Sequence, residues 1–135
     1  MALTRGFKQL LTEAQDKAPG ISVQQAFARL GDPAVVFVDV RDVREIERDG
    51  MIPGAFHAPR GMLEFWVDPE SPYYRSIFSE DKSFVLYCAS DWRGTLAAAT
   101  LSEMGMRNVS HLEGGYVEWR KAGYPVGPRP EKQKT

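Results

Sequence analysis

The chain holds one cysteine, Cys88, within the segment Tyr87-Cys88-Ala89-Ser90-Asp91-Trp92-Arg93-Gly94. Ahead of it, residues 84–87 form a short apolar run suited to a buried strand; behind it, residues 95–104 are alanine-rich, helical in pattern and closed by Gly105. A loop between strand and helix can curl so that successive backbone N–H groups point at one spot. The helix adds its own unpaired N–H groups and the positive end of its dipole. Such a nest holds an anion, and the thiolate is the reactive form of cysteine. The dipole alone is worth about 0.3–2 kcal/mol to an anion, and each aimed N–H about 1.5–3 kcal/mol, not additively. That is enough to stabilise a persulfide anion as well as a thiolate. A lone cysteine at a strand end is more often inert core; the strand–Cys–loop–Arg–helix setting argues for a reactive one.

The elements around this loop alternate. Residues 35–40, Val-Val-Phe-Val-Asp-Val, are β-branched and apolar on both faces, as in a buried strand of a parallel sheet. Ser22 followed by Gln25 has the form of a capping box opening a helix over 23–30, stopped by Gly31. A short polar helix over 43–48 ends at Gly50, and Ile52-Pro53-Gly54-Ala55 turns into a short strand at Phe56 and His57. Residues 61–80 are aromatic and proline-bearing, suited to short helical pieces and loop; Phe65, Trp66, Tyr73 and Tyr74 read as packing. A strand over 109–112, a Gly114-Gly115 turn and a helix over 116–122 complete the pattern. The fold class expected is α/β, an open and mainly parallel central sheet with helices on both faces.

The chain's 135 residues fit one domain. We divide it into an N-terminal helical extension (1–19), the domain proper (20–126) and a proline-rich, charged tail (127–135) expected to lack order. In the extension Phe7, Leu10, Leu11, Ala14 and Ala18 recur at helical spacing. That helix packs on the domain's own surface or makes a homodimer or partner contact. A net charge of −1 gives no reason to expect a nucleic-acid partner, and no apolar run reaches signal-peptide or membrane-spanning length. A cytoplasmic protein is the expectation. One cysteine allows no internal disulfide and no cysteine metal site, and His57 and His111 lack metal-site spacing, so both are read as structural or surface residues.

Four motifs in order make the chain resemble the rhodanese superfamily over about 20–126. They are Val38-Asp39-Val40-Arg41 with Glu45; Ile52-Pro53-Gly54-Ala55-Phe56-His57; the loop from Cys88 to Arg93; and Glu113-Gly114-Gly115-Tyr116 with Trp119. The resemblance implies a sulfurtransferase without metal or organic cofactor. Its Cys88 thiolate takes a sulfur from thiosulfate or a protein persulfide, and passes it to cyanide or a thiol. Ala89, Ser90, Asp91, Trp92, Arg93 and Gly94 then form the persulfide-binding loop. Asp39, Arg41 and Glu45 act in support, as a brace beneath it. Arg93 either attracts anionic substrates or holds the loop in shape, and Trp92 lies at the pocket mouth. The family's phosphatase and arsenate-reductase relatives carry five residues between cysteine and arginine; here there are four.

Two positions depart from the family's pattern: Asp91 where glycine is common, and Gly94 where serine or threonine is common. A carboxylate at roughly 6 Å from the sulfur, at an effective dielectric of about 20–40, would repel an anion by about 1–3 kcal/mol, and an outward-facing side chain by much less. Asp91 is therefore expected to disfavour dianionic donors, and it motivates a second reading, a non-catalytic binding or regulatory module. Phosphatase or arsenate-reductase activity is the third.

Overall fold

Alternation along the strands decides which side chain meets which layer. In the computed structural model, which describes residues 1–131, strands β2 (Val35–Asp39) and β4 (Ser83–Tyr87) each leave only their first residue part-exposed. Both faces of the sheet are covered, which is why these runs are apolar throughout rather than alternating. Val36 and Val38 of β2, with Phe84 and Leu86 of β4, point into one core; Phe37, Val85 and Tyr87 point into the other.

Helices α1 (Phe7–Gln15), α4 (Leu63–Val67) and α5 (Trp92–Glu103) lie on the first face. Helices α2 (Val23–Phe27), α3 (Val43–Asp49) and α6 (Gly115–Lys121) lie on the second. Strands β1 (Gly20–Ile21), β3 (Phe56–His57) and β5 (Val109–Leu112) complete a five-stranded sheet of order β1-β5-β4-β2-β3, parallel throughout. The α/β expectation therefore holds. Cys88 continues the parity of β4: Tyr87 faces α6, so Cys88 faces α5 and joins the first core.

Several expected boundaries move. Helix α2 ends at Phe27, with the Ser22–Gln25 capping box in place. Strand β1 has no counterpart in the sequence pattern; its two residues pair with His111 and Leu112 at the sheet edge. Helix α5 begins at Trp92, three residues earlier than its alanine-rich stretch suggests. Helix α1 packs on the domain itself: Ala14 is buried, Ser102 Oγ donates to the Lys17 carbonyl at 2.8 Å, and Lys17 pairs with Glu103. At the other end, the segment expected to lack order is held at its first residue, because Gly127 and Met51 exchange both backbone hydrogen bonds at 2.9 Å. Arg129 of the same segment pairs with Glu47 at 3.4 Å, and from residue 132 the expectation lies outside the described residues.

Candidate active site

Because β4 ends at Tyr87 and α5 starts at Trp92, only Ala89, Ser90 and Asp91 follow Cys88 in the loop, and Trp92, Arg93 and Gly94 form the first helical turn. Among the described residues no side chain caps that turn. Its donors meet sulfur instead: the Asp91 N–H lies 3.2 Å and the Gly94 N–H 3.3 Å from Cys88 Sγ. Cys88 is 1% exposed, with hydrocarbon on one side of its sulfur and these two amides on the other. Of the six residues assigned to the loop, Asp91 and Gly94 thus supply backbone contacts, and the Arg93 side chain also interacts with Cys88.

The loop is fixed from behind by the Gly114-Gly115 turn. Tyr116 N–H donates to the Cys88 carbonyl at 2.9 Å and Val117 N–H to the Ala89 carbonyl at 3.0 Å. Gly115 has φ +62°, and a Cβ there would lie 2.6 Å from the Ala89 carbonyl oxygen and 2.7 Å from that of Cys88. Only glycine permits this approach. The motif around residue 115 is therefore a backbone clamp on the cysteine loop.

Asp39 and Arg41 form the expected brace. Arg41 Nε and Nη2 reach the Asp39 carboxylate at 3.0 and 2.7 Å, both side chains almost fully buried. Arg41 Nη2 also donates to the Gly50 carbonyl at 2.7 Å, and the guanidinium carbon lies 4.2 Å from the Tyr116 ring centroid. Next to it Tyr87 accepts from the Ile52 N–H at 3.1 Å, and burial, with Asp39 nearby, pushes its phenol well above the usual range. His57 takes the structural role expected of it: its Nε2 meets the Arg41 carbonyl at 2.7 Å.

Glu45 ties this brace to the site. It closes a capping box on α3 by accepting from the Asp42 N–H at 2.9 Å, and it takes Arg93 in a two-pronged pair at 2.7 and 3.0 Å. The Arg93 bond, offset by partial burial and helped by the Asp42 N–H, holds the Glu45 carboxyl down to about 2. These bonds tie Arg93 to Glu45, and its guanidinium interacts with Cys88 as well. Trp92 is 58% exposed and lies against Phe7 of α1, ring centroids 4.9 Å apart.

At Asp91 both backbone and side chain are specified. Its backbone takes φ +84°, the only non-glycine positive φ among the described residues, which explains the usual glycine there. Its carboxylate turns to His111 Nδ1, at 2.9 and 3.0 Å, with Thr95 Oγ1 3.2 Å from the same nitrogen. His111, expected to be structural or surface, is buried and touches a loop residue; its signal in the sequence is weak, one histidine inside an apolar strand. A cavity of about 610 Å³ lies elsewhere, near the start of β2, lined by Val35, Val36, Met51 and Ile77 among others and by none of the residues of the Cys88 loop.

Residues 22–122 match the family model of the Rhodanese-like domain, and the chain belongs to that family. It is 33% identical over 105 residues to a sulfurtransferase of Allochromatium vinosum, covering 78% of this chain and 88% of that protein. It is also 33% identical over 122 residues to a tRNA uridine(34) hydroxylase of Erwinia tasmaniensis, covering 84% of this chain but only 33% of that longer protein. Among solved structures, a Rhodopseudomonas palustris protein of unknown function, described as a possible tyrosine phosphatase, is 51% identical with a TM-score of 0.91; the match covers 94% of this chain and 98% of that one.

Proposed function

We propose that the protein is a sulfurtransferase that carries sulfane sulfur on Cys88. The observation behind this reading is the pair of amides on Cys88 Sγ at the uncapped start of α5. In the first step the Cys88 thiolate attacks the outer sulfur of thiosulfate or of a protein persulfide. The donor's S–S bond breaks, and its electron pair leaves with sulfite or with the donor thiolate. In the second step cyanide or a thiolate attacks the outer sulfur of the Cys88 persulfide; thiocyanate or a new persulfide forms and the Cys88 thiolate returns. The remaining N–H groups of the loop and first turn are donors for the outer sulfur.

The binding-module reading is motivated by Asp91, whose carboxylate is engaged by His111 Nδ1. The name given to the R. palustris relative favours a phosphatase. The four-residue spacing between Cys88 and Arg93 favours sulfur, since a smaller ring of amides fits one sulfur better than a tetrahedral phosphate. Intact-mass measurement after incubation with thiosulfate or a persulfide donor tests the reading, with Cys88→Ser as control. A gain of one sulfur, lost on adding cyanide and absent in the variant, is expected. No adduct with any donor overturns it, and phosphate release from an aryl phosphate would put the phosphatase in its place.

A further inference from the structure

An aspartate at the N-cap of a helix normally uses its carboxylate to accept from the second or third helical N–H. Asp42 does this at α3, accepting from the Arg44 N–H at 2.8 Å. Asp91 holds the same position at α5, yet the third helical N–H, that of Gly94, goes to Cys88 Sγ at 3.3 Å. Two features keep the carboxylate away. Its backbone is left-handed, and His111 Nδ1, on the strand neighbouring β4, takes both of its oxygens. The His111 ring is sealed in, with side-chain exposure of 3%, and among the described residues its Nε2 has no hydrogen-bond partner. Asp91 and Thr95 are therefore the polar groups its ring addresses. Gly94 makes room for the arrangement: a Cβ there would come within 3.3 Å of Asp91 Oδ1, a tight contact. The two departures from the family's pattern are thus parts of one arrangement.

We infer that His111 is a positioning residue for the Cys88 sulfur: by holding the Asp91 carboxylate, it keeps a rival acceptor off the first turn of α5 and leaves the amides to sulfur. The inference rests on Cys88 being the reacting group, so its test reads cysteine reactivity separately from sulfur transfer. His111→Phe keeps ring volume and removes the donor. His111→Asn places an amide N–H near the position of Nδ1, whereas His111→Gln reaches toward that of Nε2. Asp91→Gly removes the rival acceptor.

The measurement is the rate of Cys88 alkylation by iodoacetamide at pH 7, followed by intact mass, with thermal melting and thiosulfate loading recorded alongside. Loss of a charge-assisted bond makes the expected effect of His111→Phe about a tenfold slowing. His111→Asn should stay within about threefold of the parent, and in the Asp91→Gly background His111→Phe should cost less than about threefold. An equal loss in both backgrounds means that His111 is only packing, and overturns the inference; so does full reactivity in folded His111→Phe. If His111→Phe does not fold alone, Asn against Gln makes the same comparison: equal rates overturn it, and a slower Gln variant supports it. A wild type that loads no sulfur while the reactivity cycle holds would remove the sulfurtransferase reading and leave the role of His111 standing.

Discussion

Strands β2 and β4 lie side by side, each five residues long and buried after the first, and each delivers the chain over the carboxyl end of the sheet into a helix. The two helix starts differ. At α3, Asp42 and Glu45 satisfy the free amides with a reciprocal capping box, and the helix end is chemically closed. At α5, the N-cap carboxylate is drawn off to His111, the first turn has no side-chain cap, and two amides meet a cysteine sulfur. The same kind of unpaired donor thus meets capping side chains at one helix and a cysteine sulfur at the other. Which acceptor reaches them decides between the two.

The comparison can be broken or sharpened by substitution. Gly115→Ala should do the greatest damage. Its Cβ meets carbonyl oxygens at 2.6 and 2.7 Å, in a backbone conformation that alanine resists, so a loss of about 3 kcal/mol or more in chemical denaturation is expected. Arg41→Met should cost a comparable amount, about 3 kcal/mol, because Asp39 is left charged and buried without its partner; adding Asp39→Asn should recover part of that loss.

Glu45→Gln removes the tie between the two helix ends and should cost about 1–2 kcal/mol, since Arg93 is partly in solvent. Its pH signature has a definite sign. The folded carboxyl is held at about 2, below the ordinary 4.5, so the unfolded chain binds the proton first as pH falls. The contribution is complete above about pH 5, and is lost as pH drops through 4.5 toward 2. Melting curves of wild type and Glu45→Gln should converge in that window. Asp42→Ala should have the smallest effect, about 1 kcal/mol from a lost cap, with thiosulfate loading of Cys88 within about twofold of wild type.

Much of this is legible in the sequence, and the reasons are local. A β-branched run announces β2, an apolar run announces β4, a capping box announces α2, and strand–Cys–loop–Arg–helix marks Cys88. The start of α5 is hidden because Trp92, Arg93 and Gly94 carry no cap. Strand β1 escapes because two residues show no period. The direction of the Asp91 carboxylate is unreadable: its partner His111 is twenty positions away, and only the pairing of β5 beside β4 brings them together. Electrostatic repulsion is the expectation from distance alone; the fold supplies a donor that turns the charge aside.

The most direct test of the central claim is a crystal structure of the protein loaded with thiosulfate. The account predicts a second sulfur on Cys88 Sγ at about 2.05 Å, within hydrogen-bonding distance of the amides of the loop and first turn of α5. An unmodified Cys88 under saturating donor, or an outer sulfur pointing away from those amides, would contradict it.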